Sequence, residues 1–174
     1  KEILETLITQ PCFDHTQLLG ECSSICALSD QLHKIAPTDT NILLEGESGT
    51  GKGLVARKIH QLSNRAGRQM ISLNCAALPD SHIEAELFGH KNNSVSGPTA
   101  GQAGLVEAAD GTTLFLEEIA ALPLSAQARL LRVLREGELG GVGSTATPKV
   151  STRLVSSTHK DLEALVNEGR FRDD

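Results

Sequence analysis

Short apolar runs alternate along the chain with stretches of helical period. Between Ser23 and Ala36 the apolar positions Ile25, Leu28, Leu32 and Ile35 recur at helical spacing, which predicts an amphipathic helix ended by Pro37. Asn41–Glu45 is a short apolar run that leads straight into glycine, the pattern of a buried parallel strand. A helix is predicted from Lys52 to about Leu62, with Leu54, Val55, Ile59 and Leu62 turned inward. The alternation then repeats: a strand at Met70–Leu73, a helix at Ser81–Leu87 opened by Asp80 or Ser81 as cap, and a strand at Thr112–Leu116. A helix at Ser125–Arg135, a strand at Val150–Ser157 and a helix at Asp161–Asn167 follow. Such alternation implies an α/β fold, a parallel sheet flanked by helices in a three-layer sandwich. Residues 1–17 show no period and read as a linker or N-terminal arm; residues 18–174 read as the folded unit. Residues 89–104 are rich in Gly, Asn, Ser, Pro and Thr, a loop of the length that compact domains keep for function.

Composition narrows this picture. The 174 residues suffice for one domain, and a hydrophobic share of 39% with 22% charged is that of a soluble globular protein. With four Phe and no Trp or Tyr, the core must be aliphatic, and base stacking is not a main activity. A net charge of −6 without a basic stripe argues against this segment as a nucleic-acid surface, so any DNA contact belongs to a domain outside the chain. Cys22 and Cys26 lie four apart on a predicted helix but lack a second ligand pair, and read as ordinary thiols. No signal peptide or membrane-length apolar run is present, so the default location is a reducing cytoplasm.

Two constellations carry chemistry. Gly46-Glu47-Ser48-Gly49-Thr50-Gly51-Lys52 joins a predicted strand to a predicted helix. A polyphosphate needs converging backbone N–H groups, which requires a tight turn without bulky side chains. The glycines supply the turn, the helix N-terminus its positive dipole end, and Lys52 the reach to the terminal phosphates of ATP. Gly53 stands where the general motif has Ser or Thr, whose hydroxyl holds Mg²⁺. The second constellation is Leu114–Glu118, an apolar strand ending in two carboxylates. One of the pair Glu117 and Glu118 can hold Mg²⁺, usually through water, and the other can orient the attacking water.

With these motifs the sequence resembles the central AAA+ domain of the NtrC family, bacterial enhancer-binding regulators that act with sigma-54 RNA polymerase. The resemblance starts near Leu18 and rests on Gly46–Lys52 (GESGTGK), Leu73–Leu78 (LNCAAL), Glu86–His90 (ELFGH), Gly111–Glu118 (GTTLFLEE), Ala128–Val133 (ARLLRV) and Gly169–Arg172 (GRFR). It implies a P-loop NTPase subunit of a homo-oligomeric, hexameric ring that works on ATP with Mg²⁺ and engages RNA polymerase and its sigma factor. The nucleotide would lie on Gly46 to Lys52, Gly53 and Leu54, with His159 at the sensor position after the fourth strand. Lys52 matches the Walker A lysine, Glu117 and Glu118 the Walker B acids, and Asn74 the asparagine that couples Glu118 to the sigma-contacting loop. Arg172 matches the first of two arginines offered to a neighbouring subunit. The second arginine, the helical lid and the DNA-binding domain would follow Asp174, so the chain reads as a C-terminally incomplete subdomain.

The departures from the family pattern set further expectations. Gly53 replaces Glu, Glu117 replaces Asp, and His159 replaces Asn. The family's Gly-Ala-Phe-Thr-Gly-Ala contact loop appears as Asn93-Ser94-Val95-Ser96-Gly97-Pro98, which predicts a domain that binds ATP without remodelling sigma-54. Two alternatives stay open: an active ATPase whose loop grips another target, and a module responsive to a signalling nucleotide such as cyclic di-GMP. Hydrolysis is expected to be weak.

Overall fold

A computed structural model describes residues 22–89, 103–139 and 149–174. Its elements run α1 (Ser23–Ile35), β1 (Ile42–Glu45), α2 (Lys52–Gln61), β2 (Ile71–Asn74), α3 (Asp80–Phe88), α4 (Leu105–Ala108), β3 (Thr113–Glu117), α5 (Leu124–Glu136), β4 (Arg153–Thr158) and α6 (Leu162–Asn167). Single 3₁₀ turns follow β2 at Cys75–Ala77 and β3 at Ile119–Ala121. The four strands form one sheet in the order β1-β4-β3-β2, with every neighbouring pair parallel.

Side chains alternate across this sheet as a strand period of two demands. Leu114, Leu116 and Leu154 face one way, into a core completed by Ile83 and Leu87 of α3, Val106 of α4, and Ala126, Leu130 and Val133 of α5. Phe115 and Val155 face the other way, against Leu32 of α1 and Val55, Ala56 and Ile59 of α2. The result is three layers, helices on both faces of a parallel sheet, as the alternation of runs predicts.

Most predicted elements stand within a few residues of their expected bounds, and four differences have physical causes. The fourth strand starts at Arg153 rather than Val150, because Lys149 instead forms an antiparallel bridge with Glu138. The first strand is an edge strand rather than a buried one: Leu43 is 44% exposed, and β1 pairs only with β4 among the described residues. Helix α3 begins at Asp80 with Pro79 at its cap and no side-chain capping bond, so neither Asp80 nor Ser81 caps it. The one-turn helix α4 was not predicted. It enters at Gly104, where an added Cβ would come within 2.4 Å of the Leu87 carbonyl and 2.5 Å of the Gly89 nitrogen. Only glycine permits that approach to the end of α3.

A polar seam closes the opposite end of the sheet from the strand C-termini. Arg153, 1% exposed, opens β4 and donates to the carbonyls of Ala36 (2.6 Å), Ile35 (3.1 Å) and Thr40 (3.2 Å). It thereby satisfies the last carbonyls of α1, which a helix end leaves without partners. Beside it Arg65 donates to the carbonyls of Ser151 (2.6 Å) and Thr112 (3.3 Å) and pairs with Asp39 at 2.9 Å. His60 is buried with Nε2 2.8 Å from the Arg68 carbonyl and Nδ1 2.9 Å from the Thr113 hydroxyl. A carbonyl can only accept, so Nε2 carries the proton and Nδ1 accepts from the hydroxyl. Burial lowers the pKa of this histidine, which favours the same neutral ring.

Two expectations follow for stability and reactivity. Arg153→Met keeps the aliphatic stem but leaves the buried Ala36 carbonyl without its donor, and should cost about 2 kcal/mol in urea unfolding with an unchanged slope. Cys75 is buried, and burial, with Glu117 and Glu118 nearby, pushes its thiol up to about 12, whereas Cys22 and Cys26 are exposed. Iodoacetamide at about pH 8 should therefore label Cys22 and Cys26 and spare Cys75 until the chain unfolds, as read by mass spectrometry. The raised thiol pKa leaves Cys75 neutral in the folded state, so its contribution to stability is intact below the unfolded value of 9.0 and falls away as pH rises toward 12.

Candidate functional site

All four strands point their C-terminal ends at one edge of the sheet, where an open cleft of about 560 Å³ lies. The loop after β1 forms its floor. Gly49 and Gly51 hold φ of 82° and 89°, left-handed conformations that bend the loop around its own centre. Gly51 is the N-cap of α2, so the helix N-terminus opens directly into the cleft with no acidic residue in its first turn. That combination of free N–H groups and dipole favours an anion. The loop is internally braced: the Glu47 carbonyl accepts from the Thr50 hydroxyl at 2.8 Å and from Lys52 Nζ at 2.8 Å, and Nζ also reaches the Gly46 carbonyl at 2.7 Å.

The sheet edge supplies the other wall. Glu117 ends β3, in register with Asn74 at the end of β2, and both line the cleft. Glu118 follows with φ 54° and ψ 54°, the only non-glycine residue with positive φ among the described residues. Such a conformation costs on the order of 1–3 kcal/mol and persists where the surroundings enforce it. Its carboxylate Oε2 lies 2.6 Å from His159 Nδ1 and also accepts from the His159 backbone N–H at 3.4 Å. His159 follows β4, whose Thr158 carbonyl accepts from the Gly46 N–H at 3.3 Å, so the loop and the histidine are tied to the same strand end.

The structure thus gathers Ser48, Gly49, Gly51, Lys52, Gly53, Leu54, Asn74, Glu117, Glu118 and His159 around one cleft. Gly46 and Glu47 line an adjoining recess of about 400 Å³ that also includes His159, and Thr50 caps the loop from within. Arg172 stands apart. Its side chain pairs with Asp174 (Nε to Oδ1, 2.8 Å), and it lines an apolar recess under α5 rather than the cleft. Asn74 lines the cleft. Its side-chain oxygen accepts from the Ala76 N–H at 3.0 Å, while Glu118 is bonded to His159. Residues 93–98 lie outside the described residues.

Two lining residues escaped the sequence reading. Arg57 is four positions after Gly53 on α2, so helical spacing places both on the same face beside the cleft. Ser157 precedes the last residue of β4 at the same sheet edge. The four-residue spacing from Gly53 could have flagged Arg57; nothing in its local sequence flags Ser157. No group of three or more His, Cys, Asp or Glu side chains among the described residues forms a metal cluster. One or two carboxylates at a phosphate site match the way Mg²⁺ is held, with waters and phosphate oxygens completing its shell.

Comparisons with known proteins agree with this architecture. The family model described as the Sigma-54 interaction domain matches residues 18–174. The Psp operon transcriptional activator of Escherichia coli is 46% identical over 157 residues, 90% of this chain and 48% of that protein. The nitric oxide reductase transcription regulator NorR1 of Cupriavidus necator is 44% identical over 161 residues, 92% of this chain and 31% of its own length. The chain thus spans 31% to 48% of the length of these relatives. The crystal structure of NtrX from Brucella abortus in complex with ATP superposes with a TM-score of 0.81 at 37% identity, covering 91% of this chain and 34% of that one. The chain belongs to the sigma-54 interaction domain family, the AAA+ P-loop domain of NtrC-type transcription regulators.

Proposed function

We propose that this domain binds ATP with Mg²⁺ in the cleft at the strand C-termini and hydrolyses it as part of an oligomeric transcription regulator. The observation that carries the reading is the loop Gly46–Lys52, bent by two left-handed glycines onto the N-terminus of α2 and facing Glu117 and Glu118 across one cleft. In this reading the loop N–H groups and Lys52 hold the phosphates. Glu117 would hold Mg²⁺, which would neutralise charge on the phosphates when bound. Glu118 accepts a proton from the attacking water and orients it. His159 engages only Oε2 of that carboxylate, which leaves Oε1 to take up the water.

ATP in the NtrX crystal supports the choice of nucleotide, and the family supports sigma-54 polymerase as the partner of the full-length protein. Arg172 would serve a neighbouring copy, in keeping with its position outside the cleft of its own chain. DNA binding would fall to a part of the protein beyond this domain. Residues 1–17 as an arm and 18–174 as the nucleotide-binding unit remain our proposed division. Neither the loss of sigma-54 remodelling nor a response to cyclic di-GMP has support in the relatives; the former rests on the sequence of residues 93–98 alone.

Nucleotide titration and steady-state hydrolysis test the proposal. Glu118→Gln should lower the hydrolysis rate by about 10²-fold or more while ATP affinity stays within about threefold. A rate that survives the change would remove Glu118 from its role. The loop conformation offers a second measurement. A Cβ at Gly49 would meet no protein atom within 4 Å, so within the loop itself the strain of Gly49→Ala comes from the φ of 82°. ATP affinity should fall about tenfold for Gly49→Ala and less for Gly49→Asn, because asparagine tolerates the left-handed region. Equal losses for the two variants would contradict a backbone origin.

A further inference from the structure

Gln127 lies on the first turn of α5 and is 7% exposed. Its amide bonds to three main-chain groups. Nε2 donates to the Leu122 carbonyl at 2.8 Å and to the Arg170 carbonyl at 3.2 Å, and Oε1 accepts from the Arg172 N–H at 2.9 Å. A carbonyl can only accept and an N–H can only donate, so these partners fix which way the amide faces. Only a primary amide offers two N–H donors and an acceptor in one plane.

The groups it joins belong to two parts of the proposed reaction. Leu122 closes the 3₁₀ turn that begins directly after Glu118. Arg172 stands exposed, as a residue lent to a neighbouring copy would. The turn also holds itself: Ala121 donates to the Glu118 carbonyl at 2.9 Å, Leu122 to the Ile119 carbonyl at 3.0 Å, and Ile119 and Leu122 are buried. On the other side, the N–H groups of Arg170 and Phe171 go to the Leu165 carbonyl of α6 at 2.9 Å and 3.1 Å. The next N–H, that of Arg172, goes to Gln127.

We propose that Gln127 is a positioning residue for hydrolysis, whose amide sets the main chain at Arg172 against the turn after Glu118 and so aims the arginine that one chain lends to the next. An exposed side chain on a loose segment would reach a neighbouring cleft over a range of directions, and a buried amide narrows that range before the copies meet. Because the turn is braced by its own bonds, loss of Gln127 falls on the lent arginine and spares the cleft of the same chain.

This inference rests on the reading above that Arg172 serves a neighbouring copy, and measurements on the full-length protein tell the two apart. Gln127→Met keeps the length of the side chain without its bonds. It should leave affinity for a non-hydrolysable ATP analogue within about twofold and lower steady-state hydrolysis about tenfold. Gln127→Glu keeps the acceptor for Arg172 and should fall between that variant and the parent; it carries the same test if Gln127→Met does not fold. Co-assembly with Glu118→Gln then separates aiming from general damage. Co-purified mixtures contain junctions that join an intact Glu118 to an Arg172 held by an intact Gln127, and should hydrolyse ATP faster than either variant alone. A mixture no faster than the better of the two would overturn the inference, as would a Gln127→Met rate equal to the parent's or a tenfold loss of analogue affinity. Hydrolysis that survived Arg172→Ala would instead remove the arginine from the reaction, and the inference with it. A parent protein that bound no analogue would overturn the nucleotide reading as well.

Discussion

The cleft exists because the parallel ladder brings every strand to the same finishing line. Glu45 is in register with Thr158 across β1 and β4, and Asn74 with Glu117 across β2 and β3. The ladder continues one step past β1, from the Gly46 N–H to the Thr158 carbonyl at 3.3 Å. A phosphate loop, two carboxylates, an asparagine and a histidine, separated by up to 113 residues of chain, thus become neighbours through backbone hydrogen bonds alone. In an antiparallel sheet half of these strand ends would lie on the opposite side. The site is a consequence of strand direction before it is a consequence of side chains.

Strand direction needs an anchor at the other end, and the buried polar seam supplies it. Arg153 ties the start of β4 to the end of α1, Arg65 ties the segment after α2 to the approaches of β3 and β4, and His60 ties α2 to Thr113. These bonds link elements far apart in the chain, and among the described residues no buried side-chain polar atom is left without a partner. Buried polar groups are costly unless every member is satisfied, so a seam of this kind fixes one register and penalises the others. Function at one edge and specification at the opposite edge share the same four strands.

Much of this was legible in the sequence because it depends on short-range pattern. The apolar run before glycine, the helix after Lys52 and the run ending at Glu117-Glu118 each carry their own signal, and their order implies the parallel sheet. What escaped depends on contacts between distant segments. The His159–Glu118 bond joins residues 41 apart in the chain, and no local period announces it. Helix α4 is a single turn and too short to leave a period; the clash-free approach at Gly104 that admits it is visible only in three dimensions.

The adjacent carboxylates show how the sheet and the turn divide the work. Two consecutive residues of a strand point to opposite faces, so an uninterrupted strand could aim only one of Glu117 and Glu118 at a given side. The chain avoids this by leaving the strand between them. Glu117 stays in the ladder, fixed beside Asn74, whereas Glu118 turns into the left-handed region and swings its carboxylate to His159 at the end of β4. Both then line the same cleft from different anchors. The strain at Glu118 is the local cost of that placement, and the backbone N–H and ring nitrogen of His159 offset it. Because Glu117 stays in the ladder and Glu118 leaves it, the two carboxylates have separate surroundings, and Glu118 can change partners without moving Glu117. In the proposed reaction, an ion held by one acid and a water oriented by the other would use that independence.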